Sequence, residues 1–184
     1  FSKYNSKFTY SNSAPAKELE EPTIQFLRDT VIGTQRHLKI KISPNRKVNR
    51  YDIFAHENLT FHNLRANGVK HINQKGSAFK RKGRKLLSYY VTDNEPLELQ
   101  FSIASKAVLD MDLMESSFDL MSNKMFSIAK RENWMMPTPF VLNDAVVIKQ
   151  KIKPNFRKEI IPEQLLDSLQ QQPTTLEINA NAAN

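Results

Sequence analysis

The chain has no cysteine, four glycines and one tryptophan among its 184 residues. Without cysteine there is no disulfide framework and no thiolate metal site, although that lack does not select a cellular compartment. The glycines stand singly, so GxGxxG and P-loop signatures are missing and phosphate-cradling loops are close to excluded. No GxSxG nucleophile elbow is present either. Histidine is scarce: His37, His56, His62 and His71 form no HxxxH or HxD pair. Zinc centres take three or four ligands with orienting neighbours, so these histidines read as surface or half-buried structural residues. No stretch approaches the roughly 18 apolar residues of a membrane helix, and no secretory signal is visible. The chain opens at Phe1 without Met and reads as a piece of something longer, in which case missing targeting signals carry no information.

What is present is ordinary in bulk and basic in balance. Hydrophobic residues make up 40% and charged residues 25%, as in globular proteins. The length fits one domain, or one domain with a tail, and suffices to bury a real core. A net charge of +8 and a pI near 9.6 suit an anionic partner such as nucleic acid or phospholipid.

Residues 84–103 carry the clearest pattern. Leu97, Leu99, Phe101 and Ile103 alternate with Glu98, Gln100 and Ser102, the period of a strand with one buried and one wet face. Residues 86–91 are aromatic and branched, as strands prefer. Thr92-Asp93-Asn94-Glu95-Pro96 supplies turn formers between the two runs, with Pro96 at a strand mouth where a missing N–H costs little. A β-hairpin is expected. Upstream, 23–31, 36–43, 48–55, 58–64 and 69–72 read as strands, with Pro44-Asn45 and Asn67-Gly68 as turns. Downstream, 107–114 and 145–153 follow, and 116–130 has room for a helical turn. About eight short strands with frequent turns predict an all-β, antiparallel sandwich of the Ig-like or jelly-roll-like kind. Residues 1–22 read as an N-terminal arm or linker, 23–153 as the sandwich, and 154–184 as a tail. A short amphipathic helix is expected near 162–171, because Ile161, Leu165, Leu166 and Leu169 recur at helical spacing behind Pro162.

Three clusters stand out. Asp110, Asp112, Glu115 and Asp119 are the densest acids; without an EF-hand glycine or ligand spacing they read as a solvated strand face. Lys75, Lys80, Arg81, Lys82, Arg84 and Lys85 form the strongest charge run. Its plain reading is a solvated loop, and its functional reading is contact with an anionic polymer or lipid head groups. Only Phe79 interrupts the run, fewer aromatics than a stacking surface for nucleic acid needs, so no specific nucleic-acid partner is expected. Trp134, Met135, Met136 and Phe140 form an apolar, proline-bounded string. It reads either as a core plug at one end of the sandwich, Trp supplying area and Met filling gaps, or as an exposed docking surface.

The string Arg131-Glu132-Asn133-Trp134-Met135-Met136-Pro137-Thr138-Pro139-Phe140, followed by Asn143-Asp144-Ala145-Val146-Val147, resembles the closing segment of the C-terminal domain in membrane-anchored zinc exopeptidases of the aminopeptidase Y type. It is most similar to the endoplasmic-reticulum-metallopeptidase-like subset found also in bacteria, where R-P-x-x-M-M-P-x-P precedes a D-x-x-x-V strand. Asn67-Gly68-Val69 resembles that family's NG turn, and 86–103 its hairpin. The likeness covers roughly 23–153; Glu132 stands in place of a proline, and neither the basic loop nor the tail has a counterpart. The resemblance implies a parent with a two-zinc peptidase domain, membrane helices and this β-sandwich at the end, on the extracytoplasmic, periplasmic side. Zinc and its ligands would belong to the peptidase part, so no catalytic, metal or cofactor residue carries over and this segment is expected not to be an enzyme. Expected partners are the parent's own peptidase domain and membrane helices, the membrane surface, or a second copy in a homodimer. A hydrolase with a site assembled from scattered residues is the remaining alternative.

Overall fold

The computed structural model describes residues 13, 17–70, 74–75, 78–126, 128–136 and 144–154. Of the arm expected at 1–22, residues 1–12 and 14–16 lie outside these residues, as do the helix expected near 162–171, His71 and Phe140. Eleven strands run along the described chain: β1 (Thr23–Ile32), β2 (Gln35–Ser43), β3 (Arg50–Ala55), β4 (Phe61–Ala66), β5 (Val69–Lys70), β6 (Gln74–Lys75), β7 (Ala78–Phe79), β8 (Lys85–Tyr90), β9 (Leu97–Ala104), β10 (Met111–Ser117) and β11 (Val146–Lys151). They form two antiparallel sheets. One has seven strands in the order β1-β2-β9-β4-β7-β6, with β5 paired to β4. The other has four in the order β11-β10-β3-β8. No helix among the described residues is long and apolar enough to cross a membrane.

Alternation decides which side of each strand is buried. From β2 and β9 the seven-stranded sheet contributes Leu38, Ile40, Ile42, Leu97, Leu99, Phe101 and Ile103 to the interior. Phe61 of β4 meets Phe101 edge-on at 5.0 Å between ring centroids, a favoured aromatic geometry. From the four-stranded sheet come Tyr51, Ile53, Ala55, Met111 and Leu113, and all belong to one contiguous core. Two sheets closing on a shared interior make a β-sandwich, the architecture expected from the pattern.

The expected hairpin over 84–103 is not a hairpin. β8 pairs with β3 in the four-stranded sheet, whereas β9 lies between β2 and β4 in the other. The intervening turn is therefore an arch between sheets. Asp93 and Asn94 both adopt left-handed backbone (φ 51 and 58), and the Glu95 N–H closes the turn on the Thr92 carbonyl at 2.9 Å. Side-chain bonds fix where the arch sits. Asn94 accepts from the Val48 N–H at 3.0 Å and donates to the Arg46 carbonyl at 2.9 Å. The Val91 N–H reaches the Asn49 carbonyl at 2.9 Å. These contacts pin the turn to the β2–β3 connection, which itself passes from one sheet to the other. By contrast, Asn67-Gly68 makes the expected tight hairpin between β4 and β5, with both residues at positive φ.

The loop expected at 74–85 holds the short strands β6 and β7. Around the end of β10, one helical turn is all that 116–130 provides among the described residues: the Asn123 N–H donates to the Asp119 carbonyl at 2.7 Å.

Candidate docking surface

Register places a grid of charged and amphipathic side chains on the outer face of the four-stranded sheet. Because Tyr51, Ile53 and Ala55 of β3 point into the core, Arg50, Asp52 and Phe54 point away from it. On β10 the outward set is Asp112, Met114 and Ser116 by the same parity. Across the ladder Asp112 lies between Lys151 and Phe54, and Met114 between Lys149 and Asp52. Ser116 lies between Val147 and Arg50, and Arg50 in turn faces Tyr90.

The two aspartates on this outward face are buried, Asp52 at 2% and Asp112 at 3% exposure. Long cationic side chains from neighbouring strands lie across them. Asp52 accepts from Arg50 at 2.8 Å and from Ser88 at 2.5 Å, and its carboxylate is 2.8 Å from Lys85 Nζ. Burial pushes the Asp52 carboxyl up, but hydrogen bonds from Arg50, Lys85 and Ser88 together outweigh it and hold the group below its ordinary value. Asp112 meets Arg84 at 3.0 Å and Lys151 at 3.1 Å, with Lys149 at 4.0 Å. Lys151 also reaches Asp110 at 2.6 Å. The stems stack on aromatic rings, Arg50 over Tyr90 at 5.4 Å and Lys85 over Phe54 at 5.9 Å. A groove of about 240 Å³ opens in this face, with Phe54 and Met114 as its apolar lining and Arg84, Lys149 and Asp112 around it.

Glu115 faces the other way, into the sandwich, and is fully buried at 0%. Arg46 Nε donates to its Oε1 at 2.8 Å, and the same guanidinium bonds Ser117 Oγ. Neither Glu115 Oε2 nor the Tyr51 hydroxyl has a hydrogen-bond partner of regular geometry. Burial raises the Glu115 carboxyl above its ordinary value against the pull of Arg46, and burial beside Glu115 raises the Tyr51 hydroxyl. The acids at 110–119 are thus not a solvated face. Asp112 and Glu115 are buried on opposite sides of β10, because long cations accompany them, Lys151 from β11 and Arg84 from the start of β8 for Asp112 and Arg46 from the β2–β3 connection for Glu115.

The basic run divides. Arg81 is not available to an anion: its guanidinium donates to the carbonyls of Ala55 (3.2 Å), Gly83 (2.6 Å) and Leu59 (3.0 Å) and also to that of His56. It also stacks on the Phe61 ring at 5.7 Å. This residue clamps the loop onto the core edge. Lys80 and Lys82 are exposed. Arg84 and Lys85 join Arg50, Lys149 and Lys151 on the outer sheet face, a grouping drawn from three separate strands or their ends that the run does not announce. The Lys75 side chain lies outside the described residues. Asp52 lies opposite Ser88 and Lys85 opposite Phe54, so no directly opposed charge pair on β3 and β8 marks that grouping in the sequence.

The closing string does not sit in the core. Trp134 is 79% and Met136 87% exposed, with Met135 exposed beside them. Its base is held firmly. Arg131 makes a bidentate pair with Asp144, the Asp144 carbonyl accepts the Leu120 N–H at 3.0 Å, and the Met135 N–H closes a turn on the Glu132 carbonyl at 2.9 Å. Of the two readings for these residues, exposure is the arrangement that docking requires and the plug does not.

His37 and His62 both flank Ser102 on the outer face of the seven-stranded sheet, cross-strand from either side. Ser102 is buried, and its Oγ is 2.8 Å from His37 Nδ1, a contact that ties β2 to β9. His56 is exposed and bonds the Asn58 N–H locally at 3.3 Å. Among the described residues no three His, Asp or Glu side chains gather as a metal site. Compared with known proteins, the chain matches no family, no curated protein and no solved structure, so the likeness to the peptidase C-terminal domain rests on its own residues.

Proposed function

We propose that this chain is a non-catalytic, extracytoplasmic interaction domain of a membrane-bound zinc aminopeptidase-like parent, docking through the string at 134–136. The observation that carries this reading is the lone tryptophan standing in water on an anchored base. Trp134 and Met136 are large, apolar and exposed, while Arg131 and Asp144 fix the segment that presents them. Binding energy concentrates in such aromatic anchors rather than in area at large.

A photo-crosslinking residue placed at position 134 of the full-length parent, in its own membrane, tests this directly. The expected product joins this domain to the peptidase domain or to the membrane-embedded part of the same chain. The sequence preceding Phe1 must then encode a zinc-peptidase domain followed by several membrane spans. An initiator Met a few residues upstream, or no crosslink to the parent, overturns the reading. The rival, a free-standing module gripping an anionic polymer through 75–85, predicts that Lys80→Ala with Lys82→Ala abolishes a steeply salt-dependent binding; Arg81 is left in place because it holds the loop.

A further inference from the structure

The geometry points to the outer face of the four-stranded sheet as a docking surface for an anionic phospholipid bilayer, with Trp134 and Met136 entering the interface beside it. This deepens the membrane-side reading above and rests on it. Five cations, Arg50, Arg84, Lys85, Lys149 and Lys151, face three carboxylates, Asp52, Asp110 and Asp112, leaving a surplus of two positive charges on one sheet face. Two of the three carboxylates lie beneath the cations: Asp52 and Asp112 are buried, and Asp110, 37% exposed, is paired with Lys151, whereas the side chains of Lys149, Arg84, Lys85 and Lys151 are 68%, 50%, 47% and 46% exposed. An approaching surface therefore meets positive charge first. Lys149 is 4.0 Å from its nearest carboxylate, the loosest pair of the set.

The groove between these cations suits a head group. Phe54 and Met114 are its apolar lining, with Arg84, Lys149 and the Asp112 carboxylate around it, so a phosphate would pair with the exposed Lys149 and share Arg84 with Asp112 while the neighbouring carbons rest on the lining. Along the sheet the character changes from charged to aromatic. Lys151 and Arg84 stand at one end, and Tyr90, Val147 and Phe118, all exposed, at the other. The β10–β11 connection leaves from that second end. Asp144 is two positions before β11, and Arg131 is bonded to it. Trp134 follows Arg131 by three positions, and three residues of chain span at most about 10 Å. The amphipathic ring is thus tethered near the end of the sheet where Tyr90, Val147 and Phe118 stand, which lets cations and an interfacial aromatic meet one membrane surface.

The test uses the whole chain with vesicles of phosphatidylcholine alone or of phosphatidylcholine with phosphatidylglycerol, read by co-sedimentation and by the emission of the single tryptophan. Binding is expected only with phosphatidylglycerol, with a blue shift of Trp134 and a loss of binding as salt rises. Lys149→Ala, an exposed site, should weaken binding about five-fold, the effect of one basic residue at an anionic surface. Lys39→Ala on the opposite sheet should leave it unchanged. The proposal is overturned by equal binding to uncharged vesicles, by no binding, by indifference to Lys149→Ala, or by tighter binding to duplex DNA than to vesicles with no shift of Trp134. Crosslinking from position 134 to the peptidase domain together with failure on vesicles removes the bilayer and keeps the accessory domain; failure of both removes the accessory reading itself.

Discussion

The two sheets solve burial differently. The seven-stranded sheet obeys simple alternation: β2 and β9 put aliphatic and aromatic residues inside and polar ones outside, and its exposed ion pair Lys39–Glu98 at 2.8 Å joins solvent-facing side chains. The four-stranded sheet carries buried carboxylates on both sides, Asp52 and Asp112 outward and Glu115 inward. The first arrangement draws stability from apolar area, about 25 cal/mol per Å² removed from water. In the second, the charges are tolerated because cations from the strands and connections around them pair with them, and such pairs add little net stability over apolar residues while being costly to break singly. A protein gains from the second arrangement a sheet face whose cations are fixed in place by partners underneath.

Substitutions in each sheet sharpen that contrast. Glu115→Leu leaves Arg46 without its carboxylate and should cost about 3–5 kcal/mol in denaturant unfolding, whereas adding Arg46→Leu should restore most of the loss. If the single and double variants are equally unstable, the pair is not what the site turns on. Phe101→Ala, in the apolar sheet, should cost about 3–5 kcal/mol by opening a cavity, with no second-site rescue by removing a charge.

Asp52→Asn should cost less, about 1–3 kcal/mol, since Arg50 and Lys85 keep an acceptor but lose its charge. Its signature is in pH. The folded-state carboxyl lies below 3.8, so its contribution is full above that value and disappears as pH falls through the folded value. Asp52→Asn should flatten that acid limb. Glu115 runs the other way, because burial raises it above 4.5: its favourable contribution exists below 4.5 and is lost as pH rises through the raised value. Glu115→Gln should remove that decline. Two unfolding curves against pH, one per variant, therefore diverge in opposite directions, and parallel curves would contradict the assignment of the two carboxylates. Smallest of all, Lys80→Ala with Lys82→Ala should change stability by less than about 0.5 kcal/mol, since both side chains are exposed.

The sandwich was legible because β2 from Leu38 and β9 from Leu97 follow the rule of period two. Leu38, Ile40 and Ile42 in β2 and Leu97 to Ile103 in β9 can bury one face only as strands. The partners of a strand were not legible. Thr92–Pro96 announces a turn, but a turn between adjacent strands of one sheet and an arch between two sheets use the same residue types. Asn94 and Val48, far apart along the chain, decide between them. Buried acids were illegible for the same reason. Asp112 looks like any wet strand position until Arg84 and Lys151 arrive from strands that the sequence does not mark as neighbours. Arg81 and Lys82 are adjacent basic residues of one run, yet only Arg81 lies where four backbone carbonyls converge, a fork that guanidinium fills and ammonium does not. For the docking surface the run supplied Arg84 and Lys85, and the fold supplied the rest.

The measurement closest to the central claim is collisional quenching of the single tryptophan by acrylamide in the isolated whole chain. A side chain held out for a partner predicts red-shifted emission and near-complete access to the quencher, in the folded protein as in the unfolded one. Blue-shifted emission shielded from acrylamide until the protein unfolds would place Trp134 inside the structure and contradict the account.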